Sequence, residues 1–264
     1  MRKAQIPPCA QVQHGVVCAR ISNAEDFAMP RRAPLKQEAL AMLVGRGVPV
    51  GCVLDVGALN GTPELIRAYP DAPHILFEPV SELHGAIAAT YRTLAHQIVI
   101  AAVSDAEGEV ELEIHTRPDT GALTHAGMVS GGAQRGGAVR TVKAITLDGF
   151  LAGRDLPEPF LLKIDIDGHE MKVLAGARET LPRCSVVIVE CTVDTLPERA
   201  AAVRDAGFRL FDLAEPCYYD GALWQCDAVF LREDLHREHF ARIDGEADPD
   251  LYQTFRKGNW SLFG

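Results

Sequence analysis

Three acidic residues, Asp55, Glu78 and Asp105, each close a short apolar run. Asp55 lies in Val53-Leu-Asp-Val-Gly-Ala-Leu-Asn-Gly-Thr62, where Ala58 and Asn60 fill the positions around Gly57 and Gly61. A strand that ends in an acid and turns on glycines lets a ligand come close to the backbone, because glycine has no Cβ and tolerates positive φ. The spacing is Asp-x-Gly-x-x-x-Gly, not the Gly-x-Gly-x-x-Gly of a dinucleotide site. An acid facing that turn repels a pyrophosphate and favours an ammonium. Glu78, followed by Pro79, comes at the separation from the first turn expected of an acid that accepts both hydroxyls of a ribose. The ends of successive strands lie side by side in a wound sheet, so the three acids predict one crevice for a nucleoside-type ligand. Taken singly, each acid also reads as a helix cap or a solvated turn.

A second group lies further along. In Phe160–Ile166, Lys163 and Asp165 share a face because side chains alternate along a strand. A lysine in a central strand must be paired or reach water, and Asp165 and Glu190 are its expected partners. That grouping reads equally as a structural ion pair or as a substrate-orienting one. His169, in the turn after the strand, is the expected general base, because imidazole titrates near neutrality, with Asp165 or Glu170 orienting its ring. The plainer alternative puts His169 at a helix start, beside Asp167 and Glu170. Asp165, Asp167, His169, Glu190 and Asp194 also offer oxygen and nitrogen donors to a divalent ion, though their spacing is not diagnostic and the histidine reading is preferred. His236-Arg-Glu-His239 lacks the zincin order and reads as surface. Tyr218, Tyr219 and Trp224 either frame an acceptor pocket or pack a loop; packing is the preferred reading.

The elements that must position these residues alternate. Leu35–Val44 has a helical pattern, and Pro63 opens a helix capped by Asn60 or Thr62. His74–Phe77 and Ile98–Val103 read as strands separated by a helix over Ser81–Leu94. Strand and helix in quick alternation predict a parallel sheet wound with helices. Gly108–His115 alternates apolar and acidic residues, as an exposed edge strand or hairpin does. Gly121–Ala138 is rich in Gly and Ala and reads as a long loop, a candidate lid. Arg140–Leu147 reads as a strand and Asp148–Leu151 as a short helix. Gly168–Leu181 is expected to be helical, Val186–Val189 a strand, and Leu196–Ala206 a helix capped by Gly207. Phe208–Leu213 and Asp227–Leu231 read as the last strands, joined by a polar, aromatic loop. The predicted organisation is an N-terminal extension over residues 1–34, an α/β domain over 35–233 and a partly helical tail over 234–264.

Composition narrows the partners. The chain has 264 residues, is 47% hydrophobic and carries a formal net charge of −10. That balance argues against nucleic acid, which needs a basic footprint. No apolar run reaches the length of a membrane span. The seven cysteines contain no Cys-x-x-Cys pair and read as reduced thiols of a cytoplasmic protein. The oligomeric state stays open, a homodimer included.

Taken together, Val53–Gly61, Phe77-Glu78-Pro79, Ile145-Thr-Leu-Asp148 and Leu162-Lys-Ile-Asp-Ile-Asp-Gly-His-Glu170, followed by Val173-Leu-x-Gly176, resemble the FkbM family of S-adenosylmethionine-dependent methyltransferases. The resemblance covers roughly Cys52–Glu190, and the segment around Lys163 is its discriminating part. Leu59 departs from it, standing where relatives often carry a smaller or polar residue. The resemblance implies a Rossmann-like class I methyltransferase fold, a seven-stranded mostly parallel sheet with helices on both faces and one antiparallel strand. It implies O-methylation of a sugar, polyketide or other secondary metabolite. For S-adenosylmethionine, the glycine turn would hold the carboxylate, Asp55 the amine directly or through water, Glu78 the ribose, and Ser104 and Asp105 the adenine edge. The alternatives are a nicotinamide-dependent oxidoreductase and a cofactor-binding scaffold without turnover.

Overall fold

The structure, a computed structural model, describes residues 33–116, 123–128, 137–245 and 247–251. Arg32–Arg242 form one compact unit. Outside it the described residues add one 3-10 turn, Pro249–Leu251.

The described strands are β1 (Cys52–Val56), β2 (His74–Phe77), β3 (His96–Val99), β4 (Ala102–Val103), β5 (Gly108–Thr116), β6 (Leu123–Met128), β7 (Ala138–Ile145), β8 (Phe160–Ile164), β9 (Cys184–Thr192), β10 (Phe208–Tyr219) and β11 (Ala222–Arg232). The helices are α1 (Lys36–Gly45), α2 (Pro63–Ala68), α3 (His84–Thr90), α4 (Leu147–Leu151), α5 (Glu170–Ala175), α6 (Leu196–Asp205) and α7 (Glu233–His239). Seven strands make the main sheet, in the order β3-β2-β1-β8-β9-β11-β10. Pairing is parallel from β3 to β9, and β11 runs antiparallel to both of its neighbours.

The central strands are apolar almost throughout because both faces are covered. Cys52, Leu54, Val56, Phe160, Leu162 and Ile164 pack under Leu147, Leu151, Val173 and Val203. The alternate residues Val53, Leu161, Val186 and Ile188 pack under Leu40 and Leu43 of α1, Leu65 of α2 and Leu235 of α7. Helix α7, expected to open the tail, thus closes this second layer, with Phe240 against Phe211 at 5.1 Å between ring centres.

The expected strand Ile98–Val103 is broken in two. β3 ends at Val99, the chain turns through Ile100 and Ala101, and β4 leaves to pair with β7 in a second sheet of order β4-β7-β5-β6. There β5 is an interior strand rather than an edge. Its alternation arises because Leu112 and Ile114 pack on Ile87 and Tyr91. Part of the expected loop Gly121–Ala138 is strand β6, and residues 121–122 and 129–136 of that region lie outside the described residues. The expected helix Gly168–Leu181 is shortened to α5, with a 3-10 turn at Leu181–Arg183.

The expected loop between the last strands is instead a long hairpin. Asp220 (φ 48) and Gly221 (φ 79) form its two-residue turn, and the conformation matches the Asp-Gly preference of tight hairpins.

The Ile145–Asp148 motif is a staple between elements. The Thr146 hydroxyl caps α4 by accepting from Gly149 N, and the Asp148 carboxylate accepts from Thr180 N at 2.8 Å and Thr180 Oγ1 at 2.7 Å. Gly176 is where α5 meets the end of β4, and a Cβ there would lie 2.2 Å from the Ser104 carbonyl oxygen. Gly176→Ala is therefore expected to destabilise the fold by about 1–3 kcal/mol or more in urea unfolding. Gly45→Ala, at the end of α1 with nothing within 4 Å of the added methyl, should be neutral or stabilising by about 0.4–1 kcal/mol in the same measurement.

Candidate active site

The site lies at the carboxyl ends of β1, β2, β8 and β9, where a wound sheet opens a crevice. Asp55 and Lys163 are register partners on β1 and β8, on the face covered by α1. Their side chains meet there: Lys163 Nζ lies 3.1 Å from Asp55 Oδ1 and 3.3 Å from Asp165 Oδ2. It also donates to the Gly57 carbonyl at 3.2 Å. The second Asp55 oxygen accepts from Thr62 Oγ1 at 2.7 Å. Asp55 is wholly buried and Lys163 is 3% exposed. Burial alone pulls the lysine's pKa down, but the two carboxylates outweigh it and hold the ammonium charged well above its ordinary range.

This corrects two expectations. Asp55 is the partner of Lys163 that the sequence reading missed, and Glu190 is not a partner. Glu190 accepts instead from Gln225 Nε2 at 2.9 Å. Wholly buried and already paired, Asp55 does not present a free carboxylate to a ligand at the turn. Its work is to fix the strand ends.

The turn itself is shaped by contact. Gly57 (φ 80) passes so close to the β8 exit that a Cβ would lie 1.9 Å from the Asp165 carbonyl oxygen. Leu59 holds a left-handed conformation (φ 48), costly for a branched side chain by about 1–3 kcal/mol. Its N–H donates to Glu78 Oε2 at 3.1 Å, while Val80 N donates to Oε1 at 2.8 Å. Glu78 is thus a buried carboxylate with one backbone donor on each oxygen. Burial raises its pKa and the two N–H groups work against that rise.

Beside Glu78 opens a cleft of about 710 Å³, counting the space at its mouth. Gly57, Leu59, Glu78, Pro79, Asp165, Ile166 and Asp167 form one side. Phe77, Leu83, Ala101, Val103 and Leu112 make an apolar flank that sequence reasoning missed, because the β3–β4 break and the second sheet create it. Of the three acids expected to line one crevice, only Glu78 does so. Ser104 and Asp105 leave with β4, where Ser104 Oγ donates to Asp105 Oδ1 at 3.0 Å and Lys172 stands 3.8 Å from Asp105. Ala58 is buried behind the turn, and Asn60 and Gly61 lie on its outer side, the Asn60 carbonyl accepting from Thr90 Oγ1 at 3.2 Å.

The loop after β8 is held from below. Glu170 is wholly buried, forms an ion pair with Arg199 of α6, and accepts from Gly168 N at 3.0 Å and Ile166 N at 3.4 Å. Arg199 also donates to the Glu190 carbonyl. Glu170 therefore does not orient His169, and Asp165 is engaged with Lys163. His169 stands at the N-terminal boundary of α5 and is not among the residues that line the cleft. Burial, and behind it the Lys172 ammonium, pull its pKa below the ordinary imidazole value, so the ring is neutral near pH 7. Glu190 is pushed up to about 8, first by burial and then by the charges of Asp165, Asp167, Glu170 and Asp227. Among the described residues no three His, Cys, Asp or Glu side chains converge as a metal site. His236 and His239, read as surface, lie on α7.

The order of the sheet and the cleft at its carboxyl edge define a Rossmann-like α/β domain of the class I methyltransferase type. Residues 55–210 match the model of the methyltransferase FkbM domain, and the chain belongs to that family. It is an S-adenosylmethionine-dependent methyltransferase domain. The hexuronic acid methyltransferase AglP of Haloferax volcanii is 38% identical over 50 residues, 19% of this chain and 21% of the relative. The match thus spans about a fifth of that protein's length. Among solved structures, precorrin-6y C5,15-methyltransferase from Geobacter metallireducens aligns with a TM-score of 0.41 and 11% identity, over 83% of this chain and 98% of that one. Magnesium protoporphyrin IX methyltransferase from Synechocystis aligns with a TM-score of 0.43 and 9% identity, over 75% and 77%.

Two outcomes test the electrostatics. Lys163→Met strands Asp55 in the interior, and should cost about 3–5 kcal/mol in urea unfolding, most of it relieved by a second change, Asp55→Asn. Glu190 has a raised pKa, so between about 4.5 and about 8 the unfolded chain binds fewer protons than the folded one. Stability then falls as pH rises through that window, by at most about 1.4 kcal/mol per unit from this group. Glu190→Gln should flatten the fall seen in thermal melts between pH 5 and 8.

Proposed function

We propose that this protein transfers a methyl group to a hydroxyl oxygen of a sugar or other small molecule, with S-adenosylmethionine in the Gly57–Asp167 cleft. The observation that carries the reading is Glu78. It is a buried acid at the end of β2, opening on the cleft, with both oxygens anchored by backbone N–H groups. Each carboxylate oxygen has a second lone pair. A vicinal diol such as a ribose supplies two donors to match them. The apolar flank from Leu83 to Leu112 suits an aromatic base, and the Gly57 turn brings backbone close to the amino-acid end. Asp55 acts on that end only through the turn it fixes. The bound cofactor supplies an electrophilic methyl carbon.

The chain's own task is then to place the acceptor oxygen in line and remove its proton. His169 is our candidate base. Its ring is half-buried and neutral near pH 7, and it follows directly on the loop whose Asp165–Asp167 segment walls the cleft. Glu170 and Arg199 hold that loop in register. Oxygen as the methylated atom is supported by this neutral base and by the relative that methylates a hexuronic acid. A divalent ion is not needed in this scheme, and cytoplasmic location accords with thiols that, among the described residues, are free and largely buried.

Glu78→Ala should weaken S-adenosylmethionine binding about tenfold or more by calorimetry; unchanged affinity would remove Glu78 from the site. His169→Ala should lower turnover by about 10²–10⁴-fold while leaving cofactor affinity intact. Full activity in that variant would remove His169 as base.

A further inference from the structure

Beyond Thr192, where β9 ends, the β10–β11 hairpin continues alone. Gln225 pairs with Thr192, so residues 222–224 stand past the carboxyl edge of the sheet, the edge on which the cleft opens. The tip is tethered there by Val193 N donating to the Trp224 carbonyl at 3.0 Å. Its rings do not pack a loop, as the sequence suggested. Tyr219 is 77% exposed, Tyr218 62% and Trp224 50%, with Leu223 and Val193 beside them. Several large exposed apolar side chains grouped on one projection mark a binding surface more often than an accident of packing.

At the foot of the rings, Gln225 and Glu190 form a hydrogen-bonded pair. Each keeps unused donor or acceptor capacity, the amide on both its atoms and the carboxyl on its second oxygen. Burial and the neighbouring carboxylates push the Glu190 pKa up, and in its protonated form the pair can both donate and accept without carrying charge. Around it stand the carboxylates of Asp165, Asp167 and Asp227. The lysines nearby are committed, Lys163 to Asp55 and Asp165 and Lys36 to Asp227 at 2.8 Å.

Resting on the assignment of the cofactor to the Gly57–Asp167 cleft, we infer that the hairpin tip is the acceptor platform for a neutral saccharide. Tyr218 and Tyr219 alternate to opposite faces of the hairpin, so one of them, with Trp224, offers a ring face to the C–H face of a pyranose, and Gln225 with Glu190 addresses its hydroxyls. Aromatic faces carry partial negative charge and attract the polarised C–H groups of a sugar. The acidic surroundings disfavour a uronate at the same place, because its carboxylate would meet the like charges of Asp165, Asp167 and Asp227.

The test uses the full chain carrying Trp260→Phe, which leaves Trp224 as its single tryptophan. Cellobiose and maltose serve as neutral probes and digalacturonate as the anionic one, each titrated by tryptophan fluorescence with and without S-adenosylmethionine. A neutral disaccharide should bind at least about tenfold more tightly than digalacturonate. Tyr218→Ala with Tyr219→Ala should weaken that binding about tenfold or more, with melting temperature and cofactor affinity unchanged. No response to either neutral sugar up to tens of millimolar overturns the platform, as does preference for digalacturonate. If Trp224→Ala turns a dimer into a monomer in sedimentation while sugar binding to the unlabelled protein persists in calorimetry, the tip is an interface between copies and the proposal fails. Failure of the parent protein to bind S-adenosylmethionine would instead sink the cofactor assignment, and the sugar titration without cofactor reads independently of it.

Discussion

The buried pair between Asp55 and Lys163 sets the geometry on which the rest of the site depends. Two charges in the middle of a sheet are costly, and their attraction offsets that cost only when every remaining lone pair and proton is satisfied. Here they are: Thr62 serves the second Asp55 oxygen, while Asp165 and the Gly57 carbonyl serve the ammonium. The consequence reaches well beyond stability. β1 and β8 must end in register, the Gly57 turn must lie against the Asp165 carbonyl, and the loop after β8 must begin on the cleft. An apolar pair of similar volume would hold the strands together but would not draw the backbone of the turn toward the neighbouring strand.

A second buried pair repeats this logic one layer further out. Glu170 reaches back to the N–H groups of Ile166 and Gly168, and Arg199 joins it to the end of β9. The stretch Lys-Ile-Asp-Ile-Asp-Gly-His-Glu is therefore mostly a positioning device: Lys163 and Glu170 are its two anchors, and Asp167 and His169 are what they carry. The cleft's other wall comes from the second sheet, through Leu112, and Gly127 of β6 lies beside Asp167. Both sheets thus contribute walls to the cleft.

How much of this was legible in the chain varies with the range of the interaction. The wound sheet was legible because buried parallel strands such as Cys52–Val56 and Phe160–Ile164 are apolar runs, and glycine turns punctuate them. That Glu78 opens on the cleft was legible because an acid closing the second strand of a wound sheet stands at its carboxyl edge. Of the partners expected for Lys163, Asp165 was legible because it shares a strand face two residues on, whereas Glu190 was misread and Asp55 missed because Asp55 is brought opposite only by register. Asp105 was misplaced because nothing in Ile98–Val103 announces the break at Ile100-Ala101; the break depends on β4 finding β7. The hairpin could have been found, since Asp220-Gly221 between two alternating runs is a tight-turn signal.

The sequence by itself determined the alternation of strands and helices, the glycine turn, the acid after β2 and the family motifs, because each rests on local patterning or close spacing. Tertiary structure alone decided that Asp55 joins Asp165 in neutralising Lys163, that Glu170 faces inward to Arg199, and that burial among neighbouring carboxylates pushes the pKa of Glu190 up. It also decided that the aromatic tip stands clear of the core. Each of these turns on which charges and surfaces meet across strands far apart in the chain, and only the assembled sheet sets those distances.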